Sequence, residues 1–574
     1  MEENAILMEN VTFTYKNCDE PALKDVSLNI KQGRFTVIMG KTGAGKTTLT
    51  MLSNGIIPQV LEGSVEGTVI SAGMDVSKYR VQTIAHRLGL VVQDPETQIF
   101  GRTVKEDVAF GPRNYLVPRE EILRKISDSL EKVRLGGYEE RETSQLSGGE
   151  KQRLAIAGIL AMEPSIIVLD EPTSELDPRG REEIYATMQD LLKENGITVV
   201  AVEHSSQEIT EKADEIVVLD DQHIVWQGKP YDFFRNLELV GKYGVKPIPV
   251  GETGWELYKK GLIRQDEIPL NIDDAYACVT RLLDGKKPAY NPEGRPAGSG
   301  KPLIELKDVH YRYENGKEAI RGVDLTINEG DYIALIGQNG AGKTTLAKMF
   351  NSLHKPESGT VMVCGKNTLD EEPNTLAQYV GYVFQNPDNQ IFSTSVYKEM
   401  EYGLKNAGIP AEESDKRIHE VARMLGLESV LEEHPFSLGK GQRQRLAVAS
   451  ILVLKPKILV VDEPTTGQDW NGIRNMMQLI DELHRNGTTI VMITHDMDVV
   501  AKHAGRAIVM SQGRIVADGD VRSVIAKKEE LAGAYVTRPQ IVELSDRLYG
   551  GDGRLALTSA ELTGAILESL GVEK

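Results

Sequence analysis

The sequence predicts an α/β chain of two tandem domains, each a mostly parallel sheet flanked by helices and carrying a helical insert. Three observations carry that expectation. Residues 40–47 read GKTGAGKT and residues 337–344 read GQNGAGKT, two glycine-rich phosphate loops in one chain. The motifs around each loop recur in the same order in both halves, an internal duplication. With 574 residues, 40% hydrophobic and 26% charged, the chain is long enough for two or more domains, each with its own core.

Each loop follows an apolar run, Phe35 to Met39 or Tyr332 to Ile336, and precedes a helix-favouring stretch, the strand-loop-helix context that the motif needs. Glycines let the backbone turn tightly, so that its N–H groups and the helix N-terminus behind them surround phosphate oxygens. The candidate nucleotide-binding residues are Gly40, Lys41, Thr42, Gly43, Ala44, Gly45, Lys46, Thr47 and Thr48, with Gly337, Gln338, Asn339, Gly340, Ala341, Gly342, Lys343, Thr344 and Thr345 in the second half. Lys46 and Lys343 add a point charge on the phosphates, and Thr47 and Thr344 a hydroxyl for Mg²⁺.

Composition narrows the remaining classes. The longest uncharged apolar run, Leu446 to Leu454, is far short of the roughly 18 to 20 residues of a membrane span, so the chain is expected not to cross a bilayer. The start, MEENAILMEN, is acidic and unlike a secretion signal, which points to the cytoplasm. Cys18, Cys278 and Cys364 are far apart and form no CxxC pair, so they read as reduced thiols rather than a disulfide framework or metal cluster. A net charge of -19 and a pI near 5.2 repel phosphate backbones, so no direct nucleic-acid partner is expected.

The repeat gives the domain map. Thr12-Phe13-Thr14-Tyr15 matches His310-Tyr311-Arg312-Tyr313, ALKDVSLNIKQG (22–33) matches AIRGVDLTINEG (319–330), and VVQDPETQIF (91–100) matches VFQNPDNQIF (383–392). IIVLDEPTSELD (166–177) then pairs with ILVVDEPTTGQD (458–469), and Val202-Glu203-His204 with Ile493-Thr494-His495. Gln93 and Leu146, like Gln385 and Leu438, are 53 positions apart, and the helical, charged character of the residues between them predicts the insert. Between Lys46 and Gln93 the first half is five residues longer, which reads as a surface-loop insertion. The expected organisation is a first nucleotide-binding domain over 1–230 with a tail over 231–284, a Pro- and Gly-rich linker over 285–301, a second nucleotide-binding domain over 302–523 and a tail over 524–574.

With these motifs in place, the chain resembles the ATP-binding subunits of ABC transporters, with both nucleotide-binding domains fused head to tail. The resemblance covers nearly the whole chain, because glycine-rich loop, Q-loop, signature, Walker B, D-loop and switch histidine appear in order twice. The fold that it implies is a pair of tandem ABC-type P-loop NTPase domains. Residues QDPETQIF (93–100), QNPDNQIF (385–392) and TVKEDVAFGP (103–112) look like those of energy-coupling factor (ECF) transporters, which take up vitamins and transition metals. So do the tail segments Pro269-Leu270-Asn271-Ile272-Asp273, RPQIVELSDRL (538–548) and LTSAEL (557–562).

The resemblance implies roles residue by residue. Asp170 and Asp462 organise Mg²⁺ with Thr47, Thr344, Gln93 and Gln385, while Glu171 and Glu463 polarise the attacking water. Gln93 and Gln385 sense the γ-phosphate, and His204 and His495 contact it and hold the water in line. Tyr15 and Tyr313 stack on adenine, and Asp177 and Asp469 sit in the D-loops that link the two sites. In this family each ATP is held by the Walker motifs of one domain and the signature of the other. Ser147, Gly148 and Gly149 form an intact signature, whereas Gly439, Lys440 and Gly441 lack the serine and carry a lysine in place of the first glycine. The two sites are therefore expected to be unequal.

The expected function is an ATP-hydrolysing, energising subunit of an ECF-type uptake transporter that binds two ATP with Mg²⁺. Its expected partners are a transmembrane coupling subunit and a substrate-binding membrane protein, through which it sits peripherally on the cytoplasmic face of the cell membrane. Two other readings stand beside it: the ATPase subunit of another ABC importer, and a soluble tandem ABC ATPase acting on ribosomes or DNA.

Overall fold

A computed structural model describes residues 4–174, 176–290, 298, 300–551 and 553–572. The chain divides into two compact units, Met1–Asn271 and Ile272–Lys574. The strands of the first unit are β1 (Asn4–Tyr15), β2 (Leu23–Lys31), β3 (Phe35–Gly40), β4 (Gly63–Ser71), β5 (Met74–Asp75), β6 (Leu88–Val91), β7 (Ile166–Asp170), β8 (Thr198–Val202), β9 (Glu215–Asp220) and β10 (His223–Gly228). They form an antiparallel sheet in the order β2-β1-β4-β5 and a second sheet in the order β10-β9-β3-β8-β7-β6. In the second sheet all neighbours from β9 to β6 are parallel, and only β10 runs against β9.

The pattern of each strand explains its place. β3, β7 and β8 are buried at every residue, as parallel strands covered on both faces must be, and their sequences FTVIMG, IIVLD and TVVAV are almost wholly apolar or β-branched. β1 buries one side and exposes part of the other. Its Ile6, Val11 and Phe13 join Ile38, Val168 and Val200 of the parallel sheet in one core. Leu49 and Leu52 of the helix Lys46–Ser53 pack into that same core, so the helix behind the phosphate loop is anchored by apolar burial.

The second unit repeats the plan with β11 (Pro302–Arg312), β12 (Glu318–Asn328), β13 (Tyr332–Ile336), β14 (Ser358–Val363), β15 (Lys366–Asn367), β16 (Val380–Val383), β17 (Ile458–Asp462), β18 (Thr489–Ile493), β19 (Arg506–Ser511) and β20 (Arg514–Asp520). Their orders are β12-β11-β14-β15 and β16-β17-β18-β13-β19-β20. The helical inserts contain Val104–Val108, Phe110–Asn114 and Arg119–Lys132 in the first unit, and Val396–Asn406 and Ala411–Met424 in the second. Arg119–Lys132 is amphipathic, burying Ile122, Ile126 and Leu130 at helical spacing. Among the described residues no helix is long and apolar enough to cross a membrane.

The position of the five extra residues of the first half is bounded by a pair of matching glycines. Gly67 and Gly359 share a left-handed backbone and the same close approach to the opposing strand, and both lie 26 residues before the Q-loop glutamine. The insertion therefore falls between Lys46 and Gly67, where the helix Ile56–Gln59 buries Ile57 completely.

The boundary between the units falls at Asn271, inside the segment read as the first half's tail. The helix Ile272–Leu282 packs on Gln540–Tyr549 of the second unit, and Arg547 Nη1 reaches Asp273 Oδ1 at 2.7 Å. Of the linker expected over 285–301, residues 291–297 and 299 lie outside the described set. Its beginning is tied down: Lys287 donates to the Tyr549 carbonyl, the Ala289 amide to Ser569 Oγ at 2.6 Å and Tyr290 OH to Glu561 Oε2 at 2.6 Å.

Candidate functional site

Strand order assembles the candidate residues. β3, β8, β7 and β6 are consecutive in the parallel sheet, and past their carboxyl ends lie the phosphate loop, His204, the Asp170–Glu171 pair and Gln93. β13, β18, β17 and β16 carry the matching residues of the second half. Crevices outside the carboxyl ends of such strands are where open α/β sheets bind ligands.

Each loop is locked by glycine. Gly40 has φ 137° and a Cβ there would stand 2.0 Å from the Leu219 carbonyl oxygen; Gly337 has φ 146° and would meet the Met510 carbonyl oxygen at 2.2 Å. Any side chain at either position would force the loop off the neighbouring strand. Lys46 Nζ donates to the carbonyls of Gly40 at 2.9 Å and Lys41 at 2.8 Å, and Lys343 Nζ to those of Gly337 at 2.8 Å and Gln338 at 3.0 Å. Both lysines thus cross their own loop with the ammonium at its mouth. Tyr15 OH bonds Thr48 Oγ1 at 3.0 Å, and Tyr313 OH bonds Thr345 Oγ1 at 2.7 Å, fixing each tyrosine beside the helix that follows the loop.

In the first half Gln93, Glu171 and His204 come together. Gln93 Nε2 donates to Glu171 Oε2 at 2.6 Å, and His204 Nε2 lies 3.2 Å from Glu171 Oε1. Glu171 has φ 48° and Glu463 φ 51°, the left-handed region that non-glycine residues seldom occupy. Each is pinned there by its amide, which donates to Val202 O at 3.0 Å or Ile493 O at 2.9 Å. In the second half His495 Nδ1 lies 3.0 Å from Glu463 Oε2. Gln385 is exposed, and among the described residues no hydrogen bond joins it to Glu463.

The aspartates differ as well. Asp170 is 5% exposed, and burial pushes its carboxyl up to about 6 despite the Thr47 hydroxyl beside it. Its Oδ1 is buried with no hydrogen-bond partner among the described residues, an oxygen available to a cation. Asp462 is raised by burial too, but its Oδ2 accepts from Tyr382 OH at 2.9 Å and Thr344 Oγ1 at 3.0 Å. Leu90 stands at the Tyr382 position in the first half.

The signatures begin helices. Ser147 caps Gly148–Leu160, its Oγ accepting from the Glu150 amide at 3.3 Å while its own amide donates to Glu150 Oε2 at 2.7 Å. At Lys440–Leu452 only the Gln442 side chain remains, accepting from the Gly439 amide at 3.3 Å. The Lys440 ammonium lies over Gly467, whose added Cβ would be 2.9 Å from Nζ, so the lysine sits against the D-loop of its own half. Asp177 and Asp469 are themselves helix caps, accepting from Gly180 N at 2.9 Å and Gly472 N at 2.8 Å.

The segment after each Q-loop presents aromatic rings to solvent. Phe100 and Phe110 stack with centroids 5.3 Å apart, and Phe392 and Tyr402 pack edge to face at 4.8 Å. Phe100 is 69% exposed and Phe392 62%. Buried carboxylates hold these segments: Asp107 Oδ1 accepts from the amides of Phe100 at 2.8 Å and Gly101 at 3.0 Å, and Glu399 Oε2 from those of Phe392 at 3.0 Å and Ser393 at 2.7 Å. Arg443 of the second signature helix forks onto Asp388 at 2.6 and 3.3 Å, and Lys151 pairs with Glu96 at the matching place. Each signature helix is thereby tied to its own Q-loop.

A family model for ABC transporters matches residues 23–174 and 320–466. The chain belongs to the ABC transporter family. A relative from Caldanaerobacter subterraneus subsp. tengcongensis, named as a candidate ABC transporter ATP-binding protein, is 40% identical over 561 residues, 96% of this chain and 97% of the relative. One so named from Methanosarcina mazei is 40% identical over 571 residues, 97% of this chain and 96% of the relative. One from Enterococcus faecalis is 32% identical over 553 residues, 96% of both chains. The solved structure of cbiO1 from Clostridium perfringens, part of the ABC transporter complex cbiONQ, is 34% identical, with 43% of this chain and 99% of that chain covered at a TM-score of 0.38. Membership of the ABC family implies ATP binding and ATPase activity, and it makes the chain an ABC ATPase subunit of a transporter.

Glu203, Tyr382, Asp107 and Glu399 were not singled out from the sequence. The first two had a visible signal, a position where the matched halves differ: Glu203 against Thr494, and Leu90 against Tyr382.

Proposed function

We propose that the chain is the energising ATPase of an ECF-type uptake transporter, taking up a vitamin or a transition metal, and that it works from the cytoplasmic face of the cell membrane. The observation that carries the transport reading is the pair of exposed aromatic patches, Phe100 with Phe110 and Phe392 with Tyr402, beside the two Q-loops. Apolar rings held out to solvent by buried carboxylates suit a docking partner. That partner is a transmembrane coupling subunit, itself joined to a substrate-binding membrane protein. The likeness of QDPETQIF and QNPDNQIF to ECF sequences supports the subtype.

In this reading Lys46 and Lys343 leave their loop carbonyls for the phosphates of ATP, and Tyr15 and Tyr313 stack on adenine. Glu171, held by Gln93 and His204, orients and polarises the water that attacks the γ-phosphate, and Glu463 with His495 does so in the second half. Each signature contributes to the nucleotide held by the other half, and Asp177 and Asp469 link the two. Asp170 with its unpartnered oxygen, Asp462, Thr47, Thr344, Gln93 and Gln385 offer oxygen donors suited to Mg²⁺. Mg²⁺, when bound with ATP, offsets charge on the β- and γ-phosphates.

The experiment is to purify the tagged chain from gently solubilised membranes, identify what accompanies it and measure its ATPase activity. Recovery of a coupling subunit and a small apolar membrane protein, with turnover reduced by Glu463→Gln, supports the proposal. Recovery only from the soluble fraction with ribosomal or DNA-bound material would overturn it.

A further inference from the structure

One buried hydroxyl of the second half has no counterpart in the first. Tyr382 lies on β16, the edge strand of the parallel sheet, three residues before Gln385. Its backbone is in register with Val460 of the neighbouring β17, and Asp462 ends β17 two residues further on, on the same face. Strands about 4.8 Å apart that rise about 3.3 Å per residue put that diagonal at roughly 8 Å, a gap that a phenol and a carboxylate close between them. Tyr382 OH donates to Asp462 Oδ2 at 2.9 Å, and Thr344 Oγ1 donates to the same oxygen at 3.0 Å. Tyr382 is 4% exposed and Asp462 5%, and the tyrosine ring packs beside Phe384 with centroids 5.0 Å apart. A hydroxyl so deeply buried would be left unsatisfied without its acceptor, so the bond holds both side chains in place.

The first half is fastened otherwise. Leu90 takes the matching register opposite Val168, and β6, with the sequence LGLV, offers Asp170 no hydroxyl at all. Asp170 Oδ1 is buried with no hydrogen-bond partner among the described residues. There the link from the Q-loop to the acidic pair is made by Gln93, which donates to Glu171 at 2.6 Å.

We propose that Tyr382 is a positioning residue of the second half, its hydroxyl holding the Asp462 carboxylate in place for the Mg²⁺ that accompanies the nucleotide. This rests on the reading of Asp462 and Thr344 as the metal-side residues of that half. A donor behind a metal-binding carboxylate fixes its direction before the cation arrives, and loss of such an outer partner typically costs roughly 10–100-fold in metal affinity or activity. The second half meets Mg²⁺ with a carboxylate already held by its own sheet, whereas the first half offers a buried oxygen without a partner.

Two measurements on the full chain test it. The first is equilibrium binding of a non-hydrolysable ATP analogue, with Mg²⁺ and with EDTA, in a Lys46→Ala chain whose first site is weakened. Mg²⁺ should tighten binding there, and adding Tyr382→Phe should cut that gain about tenfold while leaving the affinity in EDTA unchanged. A merely structural tyrosine would weaken binding equally in both solutions or in neither, and either result would overturn the proposal. The second is ATPase activity of the Glu171→Gln chain, which reports on the second half. Tyr382→Phe should raise the Mg²⁺ concentration at half-maximal activity about tenfold, with the rate at saturating Mg²⁺ close to that of Glu171→Gln alone. Tyr382→Leu, the residue that the first half uses, should do the same and serves if Tyr382→Phe folds poorly. If Mg²⁺ gives no gain in the Lys46→Ala chain itself, the metal-side reading of Asp462 and Thr344 falls and the proposal with it; a gain that both substitutions leave intact overturns the proposal alone.

Discussion

In the proposed mechanism Glu171 and Glu463 set the chemistry. A glutamate in left-handed backbone costs about 1–3 kcal/mol, and it persists here because strand ends on either side fix its amide and its carboxylate. In the proposed pairing the two are unequal, since the intact signature Ser147-Gly148-Gly149 serves the nucleotide of the second half. Glu463→Gln is therefore expected to lower steady-state ATPase turnover more than Glu171→Gln; equal losses would remove the asymmetry. Glu203 adds a prediction about stability. Burial raises its carboxyl from about 4.5 to about 8, so the folded chain binds a proton that the unfolded chain releases over that range. The stabilisation is full at lower pH and is lost as pH rises through about 8, so thermal unfolding measured across that interval should be flatter for Glu203→Gln than for the unsubstituted chain. The phosphate-loop residues were legible in the sequence because a spacing motif encodes backbone geometry. Glu203 and Tyr382 were not, because a buried acid or hydroxyl takes its meaning from neighbours that only the sheet order brings near.

Among the elements, the two signature helices are alike in length and differ in how they start. Ser147 closes a reciprocal cap with Glu150, and Ser147→Ala should cost about 1 kcal/mol of stability, measurable by denaturant unfolding. Gly439 occupies extended backbone with φ -63° and has no close atom where a Cβ would go, so a serine fits there without strain. Restoring the motif with Gly439→Ser and Lys440→Gly should raise the residual ATPase of the Glu463→Gln chain; an unchanged rate would show that Lys440 replaces the hydroxyl adequately. At the exposed aromatic patches, Phe100→Asp and Phe392→Asp together should abolish recovery of the chain with membranes while leaving its unfolding temperature near that of the parent. The helical inserts could be anticipated from charge and periodicity. Their exposed rings could not, since burial of a lone phenylalanine depends on the fold around it.

Over the whole molecule, the duplication was legible because matching motifs recur at matching distances, and the two pairs of sheets follow from it. The passage of the chain between the units was not. The helix Ile272–Leu282 buries Ala275, Cys278 and Val279, a spacing that announces an apolar face and says nothing of what covers it. The structure answers with the helix Gln540–Tyr549, which packs on it and whose Arg547 reaches Asp273, while Lys287, Ala289 and Tyr290 tie down the segment that follows. A fragment spanning 272–574 should accordingly unfold at a higher temperature than one spanning 302–574; coincident curves would show that the preceding segment adds nothing.

That arrangement has a cost in time. Residues 272–290 leave the ribosome with the first half already complete, yet their partner helix starts only at Gln540, roughly 250 residues later. At a synthesis rate of about 5–20 residues per second, an amphipathic helix waits uncovered for roughly 12–50 s. During that interval the nascent chain carries an apolar stripe between one folded domain and one still being made. Fusion of the halves keeps the eventual partner on the same polypeptide, so the wait ends by completion of translation rather than by encounter with a second molecule.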